Sequence, residues 1–163
     1  GLYAVRPDPY QRAVMTLFTH AQRYVGEVQE RPGAQDHPLI VWWLSLCRMG
    51  FDAHDEVPWC SAFVNGMAWD LRLPRTKSAA ARSWLAIGTA VVPEFAKAEA
   101  DVVILKRGGG NQPGPDVLAA PGHVGLFAGL EGTTVLVLGG NQGNGVTIAR
   151  FSRDQVLGIR RLV

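Results

Sequence analysis

Gly122-His-Val-Gly-Leu-Phe-Ala-Gly-Leu-Glu-Gly-Thr-Thr-Val-Leu-Val-Leu138 holds two apolar runs, 122–128 and 133–138, with four residues between them. So short a connection, carrying Gly129 and Gly132, leaves no room for a crossover helix, so the runs read as neighbouring antiparallel strands. Further short strand candidates surround this hairpin: Asp101–Leu105 before it, then Val146–Ala149 and Leu157–Arg161 after it. Turn residues separate them, including the glycine- and asparagine-rich stretch Gly139–Gly145. The result is a meander, not a series of βαβ units.

Upstream the periodicity changes from two to 3.6. Val14, Leu17, Phe18, Ala21 and Val25 form one stripe of a helix expected over about Pro9–Gly26. A second helix is expected over Pro38–Met49, with Gly50 as its C-cap, and a third from Val57 to Leu71. Pro58 suits the first turn of that third helix, and Asp55 or Glu56 is placed to cap it. Helices first and a meander afterwards make an α+β domain, helical over 9–85 and β-rich over 90–163, with one domain spanning 1–163. The long connection, Lys106–Pro121, is rich in glycine and proline, a composition common in functional loops.

Composition narrows the function classes. Apolar residues at 47% can fill a core, which argues against disorder. A net charge of +2 favours approach to an anionic polymer, yet no Lys/Arg run interleaved with aromatics points to nucleic acid. No apolar run reaches the roughly 20 residues of a membrane span. Two cysteines are too few for a disulfide-stapled scaffold, although Cys47 and Cys60 are able to pair. A chain starting at Gly1 without methionine leaves room for a removed leader or a further module ahead of it.

The chemistry centres on Cys60. In the first turn of a helix, free N–H groups and the helix dipole favour a thiolate and lower its pKa, giving the nucleophile that acyl transfer needs. Cys47, on an apolar face after Trp43, reads as core packing. A base must take the thiol proton and return it to a leaving amine. Of four histidines, His20 and His37 read as surface or packing residues, and His54 is a weaker candidate in the loop before Cys60. His123 opens a strand and is the better one. An amide or carboxylate must then orient the imidazole. A hairpin centred near Gly132 returns Asn141 beside His123, whereas a shorter loop brings Gly140 or Gln142 there, and a plain turn over Gly139–Gly145 supplies neither. Trp59, Ser61 and Trp84 flank the site and, with Gln142, are expected to contact substrate; the other tryptophans read as core. No HExxH or CxxC pattern supports a metal site, and the glycine pairs lack the setting and lysine of a phosphate loop.

Four segments together resemble a known family: Asp55-Glu-Val-Pro-Trp-Cys-Ser-Ala-Phe-Val-Asn65, Ser78-Ala-Ala-Ala-Arg-Ser-Trp-Leu85, Pro121-Gly-His-Val-Gly-Leu-Phe127 and Leu138-Gly-Gly-Asn-Gln-Gly-Asn144. They are similar to the NlpC/P60 and CHAP peptidases of phages and bacteria, endolysin-type cell-wall hydrolases with a papain-like fold. The resemblance implies a Cys–His–polar triad that cuts an amide in the stem peptide or crosslink of peptidoglycan. It places the cysteine at Cys60, the histidine at His123 and the polar member, which varies among relatives, at Asn141. Ala100 stands before Asp101 where relatives usually carry glycine.

The expectation is therefore an endopeptidase that forms a thioester, needs no cofactor or metal, and acts as a monomer in the periplasm or cell wall. An N-acetylmuramoyl-L-alanine amidase would use the same machinery on a neighbouring bond. A non-catalytic wall-binding module, or an antibacterial effector with this chemistry, are the other readings.

Overall fold

A computed structural model describes residues 16–31, 36–48, 58–108 and 111–162. Its helices are α1 (Leu17–Gln22), α2 (Pro38–Ser45) and α3 (Cys60–Asp70), followed by a 3-10 helix at Ala81–Ala86. The strands are β1 (Thr89–Ala90), β2 (Asp101–Lys106), β3 (Gly122–Glu131), β4 (Thr134–Gln142), β5 (Gly145–Ser152) and β6 (Val156–Arg161). They form one antiparallel sheet in the order β1-β6-β2-β3-β4-β5. The domain is α+β, as the change of periodicity predicts.

The hairpin turns where its glycine allows. Glu131 pairs with Thr134, so the loop is Gly132-Thr133, with Gly132 at φ 60°. A bulge between Phe127 and Gly129 shifts the register, and the β3–β4 ladder then ends at Leu126↔Leu138.

Near that pair, α3 packs against β3 and β4. Every residue from Cys60 to Ala68 is buried, so α3 is a central helix between α2 and strands β3 and β4. Small residues permit this: a Cβ on Gly66 would stand 2.2 Å from Trp43 Cδ1. The helical face of the sheet (Val102, Ile104, Val124, Leu126, Leu138) joins the larger core with Trp43, Trp59, Phe63 and Met67. The other face carries a smaller cluster of Val103, Leu105, Phe127, Val135, Val137 and Ile159, with Phe151 against it.

Helix limits differ from the sequence expectation. Of the first helix, 9–15 fall outside the described residues, and Leu17–Gln22 unwinds at Arg23 because Gly26 turns at φ 77° and the chain leaves to pair with β5. The second helix ends at Ser45, with Arg48 in a left-handed conformation at φ 64°; Gly50 is outside the described residues. The third begins at Cys60, not Val57: Trp59 is the N-cap and makes no side-chain cap bond, so Pro58 precedes the helix. The capping expected of Asp55 or Glu56 lies outside the described residues. Among the described residues no helix is long and apolar enough to cross a membrane.

Candidate active site

The glycine pair Gly139-Gly140 is where helix and strand close on one another. Successive strand residues face opposite sides of a sheet. A Cβ on Gly140 would lie 2.5 Å from the Trp59 ring and 2.7 Å from Phe63 Cβ, on the α3 side. One on Gly139 would lie 2.5 Å from Gln142 Oε1 and 3.5 Å from His123 Nε2, on the other. The first turn of α3 thus packs on the Gly140 side of β4, and His123 and Gln142 lie on the Gly139 side.

Cys60 opens that first turn, close to the backbone of Val124 in β3. Burial leaves it 3% exposed and pushes the thiol pKa up. Backbone hydrogen bonds at Val124, Ser61 and Cys60 itself, and the nearby cation of Arg107, pull the other way without reversing the shift. The lowered pKa expected of a helix N-terminus is corrected here: desolvation outweighs the dipole and the amides. The bond from Val124 fixes the sulfur beside the residue that follows His123. Both cysteines are free thiols, and the deep burial of Cys47 raises its pKa to about 11, as suits core packing.

The imidazole of His123 emerges on the face opposite Val124 and stacks on Phe151, ring centroids 5.4 Å apart. Its Nε2 lies 2.9 Å from Gln142 Oε1. The orientation of that amide is forced. Gln142 Nε2 donates to the carbonyl oxygens of Val137 at 3.1 Å and Thr147 at 2.9 Å, so the amide oxygen must face the ring. An amide oxygen only accepts, so His123 Nε2 carries the hydrogen and Nδ1 keeps the lone pair. Burial holds the imidazole pKa below its ordinary value, with the Gln142 bond raising it and Arg107 lowering it further. The resting pair is thus a neutral thiol beside a neutral imidazole. Among the described residues no hydrogen bond joins Cys60 Sγ to the ring.

Asn141 does not orient the histidine. Extending the Leu126↔Leu138 register would set it across from His123, but Asn141 adopts φ 58° inside a bulge between Gly139 and Gln142. That left-handed residue reverses which neighbour faces the ring, so Gln142 reaches it and Asn141 lines the adjoining groove. Three expected substrate contacts are corrected as well. Trp59 is fully buried, stacks on Trp43 and donates Nε1 to Glu30 Oε1 at 2.7 Å. Ser61 is fully buried, donating to Ser78 O at 2.6 Å and accepting from Trp84 Nε1 at 2.9 Å. Trp84 is equally buried, so all three brace α3 instead of meeting a ligand. Gln142, 7% exposed, is spent on the imidazole and two carbonyls. Of the remaining histidines, His20 pairs with Asp70 at 2.8 Å, His37 caps α2 through a bond from Leu39 N, and His54 is outside the described residues.

Sequence reasoning missed Arg82. Fully buried, it donates to the carbonyls of Pro113, Gly114, Val117 and Pro121 at 2.8 to 3.0 Å, so one side chain folds the loop that leads into His123. An arginine among alanines and a tryptophan before a Gly/Pro-rich loop was the available signal.

Fold and site together define an α+β domain with a helix-N-terminal cysteine set beside a histidine–glutamine pair. No protein-family model matches the sequence, and no curated protein is significantly similar to it.

Proposed function

We propose that the chain is a cysteine-dependent peptidoglycan hydrolase with a papain-like arrangement of the NlpC/P60 or CHAP type, cutting an amide in the stem peptide or crosslink. The observation that supports this most is the bond at 2.9 Å by which Gln142 fixes the tautomer of His123, the residue next to Val124, whose backbone is bonded to the Cys60 thiol. That tautomer leaves Nδ1 to receive the thiol proton as Sγ attacks the carbonyl carbon. The C–N bond then breaks, the imidazolium gives its proton to the leaving amine, and a thioester remains on Cys60. Water, deprotonated by His123, opens the thioester and restores the thiol. In this scheme backbone N–H groups at the start of α3 stabilise the oxyanion. Gln142 is the positioning residue in this scheme, in the role the sequence assigned to Asn141.

Turbidity of outer-membrane-stripped Gram-negative cells and of purified sacculi tests the proposal. Clearing by the wild type and none by Cys60→Ala is the expected result; equal clearing by both would make Cys60 structural. Mass spectrometry of the products separates cleaved stems, the endopeptidase result, from free lactyl groups, the amidase result. The deep burial of Cys60 favours a second reading, a wall-binding module that has kept the fold. It predicts wild-type protein that pelets with sacculi without clearing them.

A further inference from the structure

Beside His123, on the sheet face away from α3, lies a groove of about 520 Å³, within the range of sites that take small ligands. Its walls include Lys106, Arg107, Asn141, Arg150 and Phe151, and among the described residues no carboxylate lines it. Arg150 is already paired with Glu131 at 2.8 Å. Among the described residues Lys106 and Arg107 have no ion-pair partner. Arg107 is also held in place: Gln112 accepts from its N–H at 3.0 Å and donates back to its carbonyl, closing the turn around it. Two uncompensated cations, one on a pinned backbone, therefore border an aromatic floor and the candidate base.

We propose that this groove holds a carboxylate-bearing peptide segment, with Arg107 gripping the carboxylate, Lys106 adding charge, and the adjoining amide lying beside His123. Arginine suits the task because its planar fork matches a carboxylate with two parallel bonds. Phe151 gives the segment an apolar floor, and Asn141 offers an amide at the rim. Arg107 and His123 line the same groove, so a carboxylate held by Arg107 would lie beside the candidate base. The identity of that bond rests on the hydrolase proposal; the binding does not.

The test is calorimetric titration of the full chain as Cys60→Ala, which leaves the peptide intact. Two probes are compared: the tetrapeptide stem of a Gram-negative wall, and the same peptide with its carboxylates converted to carboxamides. The acid form should bind about tenfold tighter, a difference one charge-assisted contact supplies. Arg107→Gln should erase most of that difference and Arg107→Lys retain part of it. Equal affinity for the two peptides, or a preference untouched by Arg107→Gln, overturns the assignment. Parallel digestion of sacculi by the unaltered protein keeps the two proposals apart. Selective binding of the acid form without wall cleavage would leave the groove standing and sink the hydrolase. Cleavage with no preference between the peptides would do the reverse.

Discussion

His123 and Cys60 are both shifted by burial, in opposite directions and each toward its uncharged form. A base must be unprotonated to accept the thiol proton, and the native imidazole titrates below 6.5, the ordinary value. The acid limb of a pH–rate profile is therefore expected below pH 6.5, with activity retained where an exposed histidine would already be charged. The sign for stability follows from the same shift: as pH falls below 6.5 the unfolded chain takes up this proton before the native one, and stability declines. Gln142→Ala removes the acceptor that fixes the tautomer. It should lower kcat by about 100-fold, within the range of general-base contributions, and move the acid limb further down, since the Gln142 bond raises the imidazole pKa. Stopped assays from pH 4 upward would reveal both effects, and an unaltered profile would remove Gln142 from the mechanism.

At the scale of elements, the glycine pair of β4 divides function from stability. Gly140→Ala drives a methyl into Trp59 and Phe63, in a fully packed core, and should destabilise by about 1–3 kcal/mol in urea unfolding. Gly139→Ala meets the end of the Gln142 side chain and the imidazole instead, so its main effect should be on turnover. Similar losses of both quantities in both variants would show that the two faces of β4 are not separable. Arg82 acts on the loop opposite. Arg82→Met strands four carbonyls that one guanidinium now satisfies, and about 3 kcal/mol or more should be lost. Protease cleavage between 111 and 121 should quicken in parallel; a variant resistant there would show that the loop holds its shape without Arg82. These elements also show what a sequence can disclose. The strands, the Gly132 hairpin and the approach of the β4 end to His123 were legible because period-two patterning and turn glycines are local signals. Which of the two polar candidates, Asn141 or Gln142, meets the ring was not, because one left-handed residue in a bulge changes side-chain parity without altering composition. The burial of Trp59, Ser61 and Trp84 was equally hidden, being fixed by how α3 packs between α2 and the sheet.

Across the whole molecule, one segment ties the parts of the site together. Residues 26–30 run beside the start of β5: Gly26 N–H donates to Val146 O, Val146 N–H to Val28 O, and Glu30 N–H to Asn144 O, at 2.8 to 3.0 Å. Gln29 adds a side-chain bond to Gly143 O at 3.1 Å. The same segment carries Glu30, which accepts the buried indole N–H of Trp59, the residue that immediately precedes Cys60. It therefore fastens the β4–β5 turn, which follows Gln142, to the N-terminus of α3, which holds the thiol. Without Glu30 the indole N–H would stay buried and unpaired, and such a group costs about 1–3 kcal/mol. Glu30→Ala should accordingly lower the unfolding free energy by about that amount. Because the bond also sets where α3 begins, the fraction of protein still folded should turn over more slowly than wild type. Glu30→Gln, whose amide oxygen still accepts from the indole, should recover most of both losses. Thermal unfolding followed by sacculus clearing at a temperature where every variant is folded separates the two effects. A Glu30→Ala protein that is less stable yet clears at the wild-type rate would confine the clamp to stability, and would place the alignment of Cys60 with His123 within the sheet alone.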